Sequence, residues 1–68
     1  MNVNGEVSIF NKTKRTGQIT VESGMLSGTN LNIQFTEEQA ILVADEISKH
    51  GQAVMTVSGE YKDAVLHV

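Results

Sequence analysis

Leu31–Gly51 reads LNIQFTEEQAILVADEISKHG, and within it the spacing of apolar residues changes once. Leu31, Ile33 and Phe35 alternate with Asn32 and Gln34, the period of two that a strand with one buried face requires. Beyond Phe35 the period becomes helical. Ala40, Val43, Ala44 and Ile47 fall on one stripe, and Ile41 and Leu42 widen it. Thr36 with Gln39 three residues on is a capping-box pattern, and Phe35 is placed to staple onto Ala40. Glu37 and Glu38 suit the positive end of a helix dipole, and Lys49 and His50 the negative end. Asp45 and Lys49 form a favourable i,i+4 pair, and Gly51 is a natural stop. The stretch therefore predicts a strand over 31–35 running into one helix over 37–50, with Ile47 buried against a sheet.

Working outward, only β signals flank this helix. Toward the N-terminus, Val3, Gly5, Val7 and Ile9 alternate with Asn2, Asn4, Glu6 and Ser8, a first strand. Asn11–Thr16, closed by Gly17, is a polar loop. Ile19 and Val21 alternate with Gln18, Thr20 and Glu22, a second strand, and Ser23–Asn30 with its two Ser-Gly pairs is an irregular connection. After the helix, Ala53–Gly59 is apolar and β-branched, a fourth strand. Glu60–Asp63 reads as a turn and Ala64–Val68 as a fifth strand. The order is β-β-β-α-β-β. With 68 residues there is room for one domain and one core. A chain this short buries only about 60% of the surface it exposes when unfolded, so oligomerisation is a common support.

One helix between the third and fourth of five strands resembles the OB-fold, a small Greek-key barrel. GQAVMTVSGEYKDAVLHV, from Gly51 to Val68, resembles the final hairpin of that fold. The resemblance covers nearly the whole chain and rests on element order. An open antiparallel sheet with one packed helix is the alternative architecture.

Composition narrows the function. The chain is acidic, with formal charge -3, yet three of its five Lys and Arg residues, Lys12, Lys14 and Arg15, stand within FNKTKRTGQ, Phe10–Gln18. The absence of cysteine excludes disulfides and thiolate redox or metal sites, and fits the cytoplasm. No apolar run approaches the ~20 residues of a membrane span, and no signal-peptide pattern opens the chain. His50 and His67 share no metal-ligand spacing, no serine stands in a G-x-S-x-G elbow, and Gly24–Gly28 lacks the Lys of a phosphate-binding loop. The chain thus predicts no enzyme, no cofactor and no metal.

In the OB-fold the loop between strands one and two and the loop between strands four and five flank the ligand face. The resemblance implies that Lys12, Lys14 and Arg15 rim one side of that face and Lys62 the other. The helix acids would lie elsewhere, leaving the molecule electrically lopsided. Phe10 falls on the outward phase of the first strand and Tyr61 in the second loop. Together they would give bases a stacking platform, with Gln18, Thr20, Asn32 and Gln34 as polar neighbours. A bulge near the end of the first strand would instead turn Phe10 inward. Separately, lysines and arginines in a hairpin loop read equally as ordinary solubilising surface. Two functions follow: an OB-like module for single-stranded nucleic acid, or a non-enzymatic protein-interaction module of the phage-type or bacterial accessory or inhibitor kind. The second would use the acidic helix or an exposed strand edge. Either could act as a homo-oligomer.

Overall fold

The computed structural model describes all 68 residues, Met1–Val68. The chain folds as β1 (Asn2–Asn11), β2 (Thr16–Val21), β3 (Asn30–Gln34), α1 (Glu37–His50), β4 (Val54–Ser58), β5 (Glu60–Lys62) and β6 (Val65–His67). The strands form one sheet in the order β4-β1-β2-β3-β6-β5. It is curled through 211° into an open half-barrel. All neighbouring strands are antiparallel except β3 and β6, which run parallel. This corrects two expectations. There are six strands where five were read, and the sheet is mixed, neither a closed five-stranded barrel nor a purely antiparallel one.

The extra strand has a local cause. Glu60–Lys62, read as a turn, pairs with β6, and the reversal takes only Asp63 and Ala64. Both adopt left-handed backbone, φ 54° and 61°. That is the geometry of a tight two-residue hairpin, whose twist matches that of the strands it joins. Asp tolerates it; Ala does so at a cost. Gly59 alone separates β4 from β5. A Cβ at this position would overlap the His67 carbonyl oxygen, so only glycine lets the chain cross so close to β6. Gly59 also exchanges backbone hydrogen bonds with Met1, at 3.0 and 2.9 Å. The first and last strands of the sheet are therefore successive parts of one run of chain.

The concave side holds the core. Val3, Val7, Ile19, Val21, Leu31, Ile33, Phe35, Val57 and Leu66 line it, and Ala40 and Val43 of α1 join the same buried cluster. Thr36 caps α1, its hydroxyl accepting from the Gln39 N–H at 3.2 Å. The return bond of the capping box is not made; the Gln39 Oε1 is buried without a partner. Asp45 and Lys49 pair at 3.1 Å, and Gly51 ends the helix in the left-handed conformation. Ile47 is half-buried against the core, less than expected. Ile41 and Leu42 do not widen the buried stripe; each is 57% exposed. The buried stripe of α1 is limited to Ala40 and Val43, with Ile47 packed at its margin. No helix is long and apolar enough to cross a membrane.

Candidate nucleic-acid interface

The outer surface of the sheet is set by alternation, with one break. Val7 pairs with Ile19, but the next pair is Ile9 with Gln18, so Ser8 is an extra residue in β1. This bulge reverses the phase of everything after it. Ile9 points outward and is 59% exposed, while Phe10 turns inward and is half-buried. The Phe10 ring meets Phe35 edge to face, with centroids 5.7 Å apart. Gly17, opposite Phe10, is required by the backbone of β1: a Cβ there would overlap the Ile9 carbonyl oxygen, and would also lie 3.3 Å from the Phe35 ring. The expectation of an exposed Phe10 is thus corrected, and the inward alternative is the one observed. Burying an aromatic ring against the core outweighs keeping strict alternation. The sequence carried a signal of this: Ile9 and Phe10 are adjacent apolar residues at the end of an alternating run.

The loop from Lys12 to Arg15 is held by its backbone. The Lys14 N–H donates to Asn11 Oδ1 at 3.0 Å. Gln34 Nε2 donates to the carbonyls of Lys14 and Arg15, at 3.2 and 3.0 Å. The Arg15 carbonyl also accepts from the Phe35 N–H at 2.7 Å. The cationic side chains are left exposed, and the chain's close contacts between basic and acidic side chains lie within α1: Asp45 with Lys49, and Glu46 beside the His50 imidazole. Lys12, Lys14 and Arg15 therefore have no carboxylate partner. One acid does lie close by: Glu37 lines a groove with Lys12, Thr13 and Arg15 where the loop meets the start of α1. The helix acids are accordingly not all remote from the basic loop.

A second groove, of about 360 Å³, crosses the outer face of β1, β2, β3 and β6. Its walls include Ile9, Asn11, Thr16, Gln18, Asn32, Gln34 and Val65. Cross-strand hydrogen bonds order this surface. Gln18 Nε2 donates to Asn32 Oδ1 at 3.1 Å, and Thr20 Oγ1 to Asn30 Oδ1 at 2.6 Å. The groove walls are mostly polar, carry no charged side chain and are rich in groups that both donate and accept, although Glu6 stands on the same face of β1, paired with Thr20. Asn11 and Thr16 flank the basic loop, so cations stand at one end of the groove.

Lys62 pairs with Val65, which itself pairs with Asn32, and it extends this row of the outer face. Tyr61 is displaced from its expected role. It lies within β5, not in a loop, and pairs with the fully buried Leu66. Its phase is that of the inner surface, although at the sheet edge it is 45% exposed. Phe10 and Tyr61 therefore do not share the outer face. The structure brings together the basic loop, Gln18, Asn32 and Gln34, places Lys62 in line with them, and takes both aromatics away. Sequence reading missed Ile9 and Val65, which with the buried Ile33 are the apolar residues of the groove. No protein family, curated protein or solved structure matches the chain.

Proposed function

We propose that the chain is an OB-like, non-enzymatic module that binds single-stranded nucleic acid across the outer face of β1, β2, β3 and β6. The OB-like reading is supported by connectivity. β1 pairs with both β2 and β4, β3 runs parallel to β6, and β4 continues into β5 across Gly59. The observation that carries the functional reading is the uncharged, hydrogen-bonding groove that begins beside three unpaired cations. Lys12, Lys14, Arg15 and Lys62 attract phosphates. Gln18 and Asn32 offer base edges and sugars the amide groups left over from their mutual bond, and Gln34, its amide nitrogen held by the loop carbonyls, offers its oxygen. Ile9 and Val65 offer apolar contact where a stronger binder would present aromatic rings. Without stacking, affinity is weak and depends mostly on phosphate contacts.

Fluorescence anisotropy of a labelled single strand at two salt concentrations tests this. Replacing Lys12, Lys14 and Arg15 with Gln weakens binding. It also flattens the log–log salt slope by up to about 0.7 for each phosphate no longer neutralised. An unchanged slope removes the basic loop from the interface. Absence of wild-type binding at low salt ends the nucleic-acid reading.

A specific observation favours a second reading. Ile41 and Leu42 expose aliphatic side chains next to each other on α1. A protein-interaction module would dock a partner there, with affinity abolished by Ile41→Ser and insensitive to the basic loop.

A further inference from the structure

The sheet has two free edges, and the chain treats them differently. The edge of β5 is three residues long and carries Glu60 and Lys62. Short length and charge are common protections against unwanted strand pairing. The edge of β4 has neither. It runs for five residues, VMTVS, with no charge and no proline.

The register tells which backbone groups are free. Met1 and Gly59 exchange hydrogen bonds, and the Val7 N–H donates to the Ala53 carbonyl at 2.8 Å. Hydrogen-bonded pairs alternate along an antiparallel ladder. Ala53, Met55, Val57 and Gly59 therefore turn their N–H and C=O groups toward β1. Val54, Thr56 and Ser58 turn theirs away from it. β4 pairs with no strand but β1, and no backbone hydrogen bond outside the ladders involves these three residues. Their side chains lie on the outer face, and Val54 is 50% exposed.

We infer that this edge is an interaction surface, and that its occupant is a second copy of the same chain. The two β4 strands pair antiparallel about a two-fold axis at Thr56. Thr56 then faces its own counterpart, and Val54 faces Ser58 of the other copy. The N–H and C=O groups that meet are those left free in the single chain. No charge opposes a like charge, because none of the five residues of β4 is charged. On the inner side Met55, only half-buried in one chain, packs beside Val57 of its partner. An isologous contact of this kind closes on itself and leaves no further β4 edge to propagate.

The outer face gains continuity as well. Thr56 Oγ1 donates to Asn4 Oδ1 at 3.2 Å, and Ser58 Oγ to Asn2 Oδ1 at 2.5 Å. Pairing at Thr56 joins these two polar ladders side by side on one continuous sheet. The inference does not depend on what the outer face binds.

The axis position gives the test. Mass measurement by light scattering, together with sedimentation across a dilution series, finds wild-type protein dimeric at high concentration. Thr56→Lys brings two lysines face to face and yields monomer, as does Thr56→Glu with two carboxylates. Mixing the two variants in equal amounts restores a dimer, because opposite charges then meet. Amide hydrogen exchange gives an independent reading on unaltered protein: Val54, Thr56 and Ser58 are protected at high concentration and lose protection on dilution. The inference is overturned by a wild-type protein that stays monomeric, by variants that remain dimeric alone, or by free exchange of those three amides in the dimer.

Discussion

Phe10→Ala separates a structural ring from a ligand-stacking ring. Truncating a fully buried phenylalanine costs about 3–5 kcal/mol. Phe10 is half-buried, so roughly half of that applies, about 1.5–2.5 kcal/mol. The edge-to-face contact with Phe35 is included in this figure, and contributes about 0.5–1.5 kcal/mol of it. At about 0.05–0.15 kcal/mol per residue, a chain of 68 residues has roughly 3–10 kcal/mol in total. The substitution therefore removes a large share of the stability. For a domain of this size 1 kcal/mol moves the melting temperature by about 4–8 °C, which predicts a fall of roughly 6–20 °C. Thermal melts followed by circular dichroism measure it. Oligonucleotide affinity, read well below the variant's melting temperature, stays within about twofold, since loss of a stacked base would cost about 1–3 kcal/mol. An unchanged melting temperature with weakened binding would refute the inward placement and restore Phe10 to the ligand face.

Other substitutions test other parts of the fold. Ala64→Gly stabilises the β5–β6 hairpin: left-handed backbone costs an L-residue about 1–2 kcal/mol, and the added freedom of the unfolded chain returns about 0.4–1. The net gain, between about 0 and 1.6 kcal/mol, appears as a higher urea midpoint, and a lower midpoint contradicts the turn geometry. Gly59→Ala drives a methyl group into the His67 carbonyl and costs about 1–3 kcal/mol or more, with exchange protection lost first in β5 and β6. Uniform loss across the sheet speaks against Gly59 as the local crossing point. Thr36→Ala removes the hydroxyl cap of α1 and lowers stability by about 1 kcal/mol in denaturant melts, and no change argues against that cap.

The parts of the fold written in local periodicity were legible in the sequence. The helix from Glu37 to His50, its cap at Thr36, its stop at Gly51 and the inward Phe35 all follow from spacing and side-chain chemistry. What failed did so where one residue shifts the phase. The bulge at Ser8 exchanges Ile9 and Phe10 between faces, and only the adjacent apolar pair hints at it. Glu60–Lys62 looks like a turn because three polar or amphipathic residues follow a glycine; its strand character comes from β6, which no local pattern reveals. Ile41 and Leu42 look buried because a helical stripe says nothing of how wide a surface it will meet. For the candidate site, the basic loop and the polar residues of β2 and β3 were legible. Their separation from Tyr61 depends on which face of the sheet its strand presents.

The most direct test of the proposed ligand face is a nuclear magnetic resonance titration of labelled protein with a short single strand at low salt. The account predicts progressive shifts at Ile9, Gln18, Asn32, Gln34 and Val65 and in the loop from Lys12 to Arg15, with Ile41 and Leu42 unmoved. Shifts confined to α1, or none at all, would contradict it.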